Sequence, residues 1–149
     1  MKIAIGCDEA GFILKEIIKS YLQENGFEVE DYGVYDTKPI LYPDIAYKVA
    51  TSISTGIHNR GVLICGTGIG MAITANKIPH VRAAVCHDIY STECSRKSND
   101  CQIMCLGARI VGDELAKLLV KRWLECDFQG GGSTAKVERI KGIEAEFNK

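Results

Sequence analysis

Short β-branched apolar runs alternate with longer amphipathic runs along the whole chain. The short runs predict strands, and between them apolar residues recur at helical spacing. The predicted strands are 2–6, 27–32, 61–64, 81–86 and 102–106. The predicted helices are about 12–22, 44–56, 71–78, 89–96, 114–126 and 134–147. This order predicts one α/β domain over residues 1–149, with a three-layer α/β/α Rossmann-like fold, a five-stranded parallel sheet and a charged C-terminal helix.

A glycine-rich loop follows the third predicted strand. It reads Cys65-Gly66-Thr67-Gly68-Ile69-Gly70. Glycines at every second position let backbone N–H groups approach a ligand closely, and the positive end of the next helix favours an anion and a thiolate. Glycine in such a turn also has purely geometric uses, and a buried cysteine is usually inert. The pattern matches neither the dinucleotide fingerprint nor the phosphate loop ending in Gly-Lys-Ser/Thr, so nucleotide binding is disfavoured.

Polar residues from other strand ends are expected beside this loop. In open parallel sheets, ligands bind beyond the carboxyl ends of the strands, where the direction of winding reverses. Asp8 follows the first strand and is also placed to cap the first helix. His87, Asn99 and Arg109 are predicted to come from later strand ends along the same edge. This convergence favours a functional role for Cys65.

Composition narrows the possible partners. The net charge is −1 and basic residues form no run, which argues against nucleic acid and anionic membranes as partners. No segment is long and apolar enough to span a bilayer, and acidic residues interrupt the N-terminal apolar run too early for a signal peptide, so a cytoplasmic location is expected. The seven cysteines are expected to be reduced. A zinc site from Cys94, Cys101, Cys105 and His87 would fit no standard spacing, so no metal or other cofactor is expected.

A thiol beside an anion loop suits proton abstraction next to a carbonyl. A base that takes a proton from one carbon of an enediolate and returns it to the neighbouring carbon interconverts an aldose and a ketose. The oxyanion must also be held, and the N–H groups of 66–70 with Asn99 are candidates for this role. Thr67 is expected to donate to or orient the thiolate, and Asp8 to bind sugar hydroxyls.

The chain resembles the type B ribose 5-phosphate isomerase and galactose 6-phosphate isomerase family over nearly its whole length. The motifs that carry the resemblance are Gly6-Cys7-Asp8, Tyr42-Pro43-Asp44, Ile64 to Gly70, Ala75-Asn76-Lys77, Val81-Arg82-Ala83, Ser98-Asn99-Asp100 and Gly107 to Gly112. The resemblance implies a metal-free isomerase of a small sugar phosphate, working as a homodimer or homotetramer with shared active sites. It also implies that Cys65 is the base, that loop 66–70 and Asn99 stabilise the enediolate, and that Asp8 and Tyr42 contact the substrate.

Three parts of the chain depart from the family pattern. Glu9, a candidate substrate contact, stands where the family usually has histidine, and Ser98 stands where it usually has a ring-opening histidine. The C-terminal phosphate clamp, usually Gly-Gly-Arg-His-x-x-Arg, here runs from Gly130 to Lys136 without arginine. The candidate replacements for the lost phosphate contacts are Ser133, Thr134, Lys136, Arg109 and His87.

The missing ring-opening histidine suggests a substrate that has no ring. A tetrose 4-phosphate carries its phosphate on the oxygen needed to close a furanose, so it stays open. The Cys86-His87-Asp88 and Ser98-Asn99 runs look like a branch of the family that handles erythrulose 4-phosphate. Against this, Ser98 or His87 remain candidates for opening a ribofuranose. A non-catalytic sugar-phosphate binder or a partner-dependent subunit is the alternative class, and a thiol oxidoreductase is disfavoured because no resolving cysteine lies nearby.

Overall fold

Strands and helices alternate along the chain in the computed structural model, as the hydrophobic pattern predicts. Residues 1–148, which the structure describes, form five strands and six helices. The strands are β1 Lys2–Cys7, β2 Glu28–Asp31, β3 Arg60–Cys65, β4 Ala83–Val85 and β5 Ile103–Gly107. The helices are α1 Phe12–Glu24, α2 Tyr42–Ser54, α3 Ile69–Ala75, α4 Ile89–Lys97, α5 Asp113–Glu125 and α6 Gly132–Phe147. The predicted elements are confirmed, with ends that shift by a few residues.

The sheet is parallel throughout and has the strand order β2-β1-β3-β5-β4. The winding direction reverses between β1 and β3, because the chain places β2 on one side of β1 and all later strands on the other. Cys7 pairs with Ile64, and Cys65 pairs with Gly107. The carboxyl ends of the three central strands therefore meet at the reversal point, where a ligand is expected in this class of sheet.

Helices cover both faces of the sheet. Every residue of β3 and β5 is buried, as their near-continuous apolar sequences require in a strand covered on both sides. The helix α2 packs against α3, while α1 and α4 pack against α5, whose Trp123 is fully buried. The three-layer α/β/α Rossmann-like prediction is confirmed.

The last helix lies largely on the outside. Val137 is buried, whereas Ile140, Ile143 and Phe147 are exposed. The N–H of His80 donates to the Glu144 carboxylate at 3.0 Å, which ties the helix to the segment before β4. The packing of α6 on a second subunit stays a prediction. Among residues 1–148, no helix has the length and apolarity needed to cross a membrane.

Candidate active site

Cys65 ends β3 and begins a tight loop into α3. The N–H of Gly68 donates to Sγ of Cys65 at 3.1 Å, and the N–H of Ile69 donates to Oγ1 of Thr67 at 3.3 Å. Gly68 has a φ of 78°, and a Cβ at this position would lie 3.0 Å from the backbone of Leu106. Glycine is required there by both conformation and space. The loop thereby turns a backbone donor toward the sulfur of a residue that is 5% exposed.

The loop after β5 forms the neighbouring wall. The N–H of Ala108 donates to the carbonyl of Cys65 at 2.8 Å, and the N–H of Arg109 donates to the carbonyl of Gly66 at 3.1 Å. The Arg109 guanidinium lies over Gly66, where an added Cβ would come within 3.0 Å of Nη1. A positive charge therefore stands beside the glycine loop, which suits an anionic ligand.

Asp8 follows β1 and is buried beside the end of β3. Its N–H donates to the carbonyl of Ile64 at 3.2 Å, and its Oδ1 accepts the N–H of Gly11 at 3.0 Å. The expectation that Asp8 caps α1 is wrong, because the carboxylate closes the turn before the helix and Gly11 is the capping residue. Burial raises the pKa of Asp8, with Glu9 adding to the effect and the Gly11 N–H and Arg109 opposing it.

Tyr42 reaches the glycine loop from the start of α2. Its phenol ring packs so closely on Gly70 that an added Cβ there would overlap the ring. Glu9 supports the segment leading to Tyr42, since its Oε2 accepts the N–H of Ile40 at 3.2 Å. Glu9 is therefore engaged with its own chain through one oxygen. No feature of the sequence predicts this contact, because the segment between β2 and α2 has no periodic pattern.

His87 lies beyond β4 at the same edge. Its Nε2 accepts the N–H of Gly107 at 2.8 Å, which places the ring proton on Nδ1. Burial lowers the pKa of His87, although Asp88 opposes the effect. The imidazole is therefore neutral at pH 7 and poorly suited to act as an acid.

Ser98 and Asn99 lie at the opposite edge of the sheet, so the expectation that Asn99 shares the edge of Cys65 is wrong. The helix α4 starts beyond the carboxyl end of β4, runs back and ends at Lys97, so Ser98 and Asn99 precede β5 instead of following it. Gly61 pairs with Ile103 near this amino edge, and Cys65 pairs with Gly107 at the other. Four residues at about 3.3 Å each separate the two edges by about 13 Å.

Ser133 and Lys136 also lie away from Cys65. They belong to the first turns of α6, and Gln129, shortly before that helix, donates its N–H to the carbonyl of Lys97 at 3.0 Å. Within one chain, these two phosphate candidates are therefore near the amino edge with Ser98 and Asn99. The remaining candidates come together at the carboxyl edge: Asp8, Glu9, Tyr42, Cys65, Gly66, Thr67, Gly68, Ile69, Gly70, His87 and Arg109.

Two of the other cysteines are buried thiols that stay protonated. Burial raises the pKa of Cys7 and of Cys101 to about 12, so both thiols are neutral. All seven cysteines fall in the described residues and are free thiols. Across that same part of the chain, no group of three or more His, Cys, Asp or Glu side chains could hold a metal ion. This includes the set around Cys94 that was considered above as zinc ligands.

The fold and the site together define a Rossmann-like α/β protein with a glycine loop, a thiol and an arginine at the reversal point of its parallel sheet. The chain belongs to the ribose/galactose isomerase family, whose sequence signature matches residues 3–140. It is 52% identical over 144 residues to ribose-5-P isomerase B of Listeria innocua, covering 97% of both chains. It is 53% identical over 141 residues to D-erythrulose-4-phosphate isomerase of Pectobacterium atrosepticum, covering 94% of this chain and 93% of the relative.

A solved structure agrees with these sequence relatives. Ribose-5-phosphate isomerase B of Clostridium thermocellum superposes with a TM-score of 0.98 at 44% identity, covering 99% of this chain and 100% of the other. The protein is thus an aldose–ketose isomerase of sugar phosphates, and the non-catalytic binder is not supported.

Proposed function

We propose that Cys65 is the base that moves a proton between C2 and C1 of an open-chain sugar phosphate. The thiolate removes the C2 proton of the aldose and leaves an enediolate. The thiol then returns the proton to C1, while the hydroxyl proton moves from O2 to O1, and the product is the ketose. The observation that supports this role is the position of Sγ, which lies at the carboxyl end of β3 with the Gly68 N–H 3.1 Å away. A backbone N–H at that distance can donate a hydrogen bond to a thiolate formed during the reaction.

The first turn of α3 supplies donors for the enediolate oxygen. The N–H groups of Gly70 and Met71 have no intrahelical partner, because the first N–H groups of any helix lack one. Each well-placed donor to such an oxyanion contributes about 10²- to 10³-fold in rate. Arg109, which lies over Gly66, adds positive charge to the same pocket.

A second copy of the chain completes the site in this proposal. Asn99 is exposed at the amino edge and Cys65 lies at the carboxyl edge, so a second subunit must deliver Asn99 to the thiol of the first. Ser98, Ser133 and Lys136 would arrive with it. The exposed apolar side chains on α6 are consistent with a homodimer or homotetramer.

The preferred substrate in this proposal is a tetrose 4-phosphate. Opening a furanose ring needs a positioned acid and base, and Ser98 offers no imidazole. His87 does not replace it, because its Nε2 is occupied by the Gly107 N–H and its ring is neutral. A tetrose 4-phosphate needs no opening step.

Solvent deuterium exchange at C2 tests the role of Cys65. The Cys65→Ser variant should lose exchange by at least about 100-fold, since general bases contribute about 10²- to 10⁴-fold. Its matched control is Cys126→Ser, which changes another buried cysteine at the end of α5 and should keep wild-type exchange. Retained exchange in a folded Cys65→Ser variant would remove the cysteine from the mechanism.

The substrate proposal needs a separate comparison. Values of kcat/KM on erythrose 4-phosphate and ribose 5-phosphate, measured with one enzyme preparation, should favour the tetrose by at least about tenfold, which corresponds to about 1.4 kcal/mol. A strong preference for the pentose would reject the tetrose assignment while leaving Cys65 as the base.

A further inference from the structure

Two arginines grip the turn that carries Asn99. The Nε–H of Arg82 donates to the carbonyl oxygens of Asn99 at 3.2 Å and Asp100 at 3.1 Å. One Asp100 carboxylate joins both guanidiniums, with Oδ2 3.2 Å from Nη2 of Arg82 and Oδ1 3.1 Å from Nη1 of Arg96. Arg96 also donates to the carbonyl of Cys101 at 2.7 Å. The turn is therefore held from two sides.

The backbone of this turn depends on such support. Asp100 has a φ of 51°, in the left-handed region that residues other than glycine seldom adopt. A backbone of this kind persists when surrounding contacts hold it. Its main contacts are the Arg82 and Arg96 guanidiniums, and the Asp100 N–H also donates to the carbonyl of Arg96 at 3.2 Å.

Arg82 and Arg96 differ in what else they serve. Arg96 donates to the carbonyl of Cys126 and lies over the ring of Trp123, so it also belongs to the core. The side-chain hydrogen bonds of Arg82 within residues 1–148 all go to Asn99 or Asp100. The Arg82 side chain therefore supports this turn and, unlike Arg96, does not also bond the core.

The Asn99 amide is available to a second molecule. Asn99 is exposed, and its side chain makes no hydrogen bond to any residue that the structure describes. It lines a cleft of about 460 Å³ together with Arg82, Ser91 and Cys94. Arg82 therefore restrains the backbone of Asn99 and leaves its side-chain amide free. A residue that acts in the site of another subunit needs both properties.

We propose that Arg82 is a positioning residue for the isomerisation, setting the direction in which Asn99 presents its amide to the site of a second copy. This inference rests on the proposed role of Asn99. The guanidinium is a planar fork, and its Nε and Nη2 grip the turn at two points, which a lysine ammonium cannot reproduce. In this proposal Arg82 acts through the turn that carries Asn99 and needs no contact with the substrate.

The expected effect of losing Arg82 is on kcat. Misplacing a catalytic group by about 1 Å can cost about 100-fold in rate, so Arg82→Gln should lower kcat by about 10- to 100-fold. KM should change by less than about twofold. The variant loses an interaction that Asn99 makes only in the transition state, and it keeps the contacts that bind the substrate in the ground state.

A double-mutant cycle tests whether Arg82 acts through Asn99. The variants are Arg82→Gln, Asn99→Ala and the combination, and kcat, KM, oligomer size and melting temperature are measured for each. Once Asn99 is alanine, Arg82→Gln should lower kcat no further. The matched control is Arg122→Gln, which breaks the ion pair to Glu93 on the helical surface, with Nε to Oε1 at 2.7 Å, and should keep wild-type kcat.

Each contrary outcome has a definite meaning. Independent, multiplicative losses in the double variant would overturn the positioning role while leaving Asn99 catalytic. A wild-type kcat for Asn99→Ala would reject the proposed role of Asn99 and this inference with it. Should Arg82→Gln fail to fold, Arg82→Lys keeps the charge without the fork, and the same cycle applies with the same non-additive result expected.

Discussion

Two variants that inactivate different halves of the site should restore activity to each other when they share an oligomer. Cys65→Ser removes the proposed base at the carboxyl edge, and Asn99→Ala removes the amide at the amino edge. The edges are about 13 Å apart at the strand register, whereas reacting groups must approach within about 3.5 Å. In the proposed dimer, each site combines Cys65 of one chain with Asn99 of the other.

The symmetry of a dimer sets the size of the effect. In a mixed dimer, one site receives intact Cys65 and intact Asn99, and the other receives both substitutions. The purified mixed dimer should therefore show about half of wild-type turnover, and a random equimolar mixture about a quarter, since roughly half of its dimers are mixed.

Co-expression with two different affinity tags allows the mixed dimer to be isolated and assayed at saturating substrate. The two parent homodimers set the background. The matched control pairs Cys65→Ser with the double variant Cys65→Ser/Asn99→Ala, a mixed dimer in which no site has a thiol, and it should stay at background. A stable mixed dimer of the single variants with no more activity than its parents would refute the shared site.

Two further predictions concern support of the fold and the shape of the pocket. Lys15→Met should lower the free energy of unfolding in urea by about 3–5 kcal/mol, because the fully buried Nζ of Lys15 lies 2.7 Å from Oδ2 of Asp31. Lys19, which is partly exposed, also pairs with Asp31, and Lys19→Met should cost less than about 1 kcal/mol. Burial alone would raise the pKa of Asp31, but hydrogen bonds, the strongest from Lys15, lower it. The extra stability of the wild type over Lys15→Met should therefore be fully present above about pH 4 and be lost as the pH falls through the folded pKa of Asp31. A stability difference that grew at acid pH would contradict this. Gly70→Ala should displace the Tyr42 ring and raise KM severalfold. The loss of stability should stay under about 1 kcal/mol, because alanine favours the helix more than glycine does. An unchanged KM would show that Tyr42 does not contact the substrate.

Much of the architecture follows from local patterns. The apolar runs of β3 and β5 suit strands buried on both faces, and their alternation with amphipathic helices leaves a parallel sheet as the simplest arrangement. Cys65 at a strand end, followed by a glycine loop, then predicts its place at the carboxyl edge. The ends of elements were less predictable. The strand β4 begins only at Ala83, because the N–H of Arg82 before it donates to the Gln102 side chain instead of to a neighbouring strand.

The sequence by itself determined the order of elements, the position of Cys65 and the family, because these depend on short-range periodicity and contiguous motifs. Asn99 precedes β5 in the sequence, so the order of elements already places it at the amino edge, away from Cys65. Only its support by Arg82 and Arg96 was decided by the tertiary structure. The tertiary structure alone buried Lys15, whose partner Asp31 is sixteen residues away, and bound Glu9 to Ile40 across thirty-one residues. Such contacts arise when distant segments pack together, and local periodicity carries no information about them.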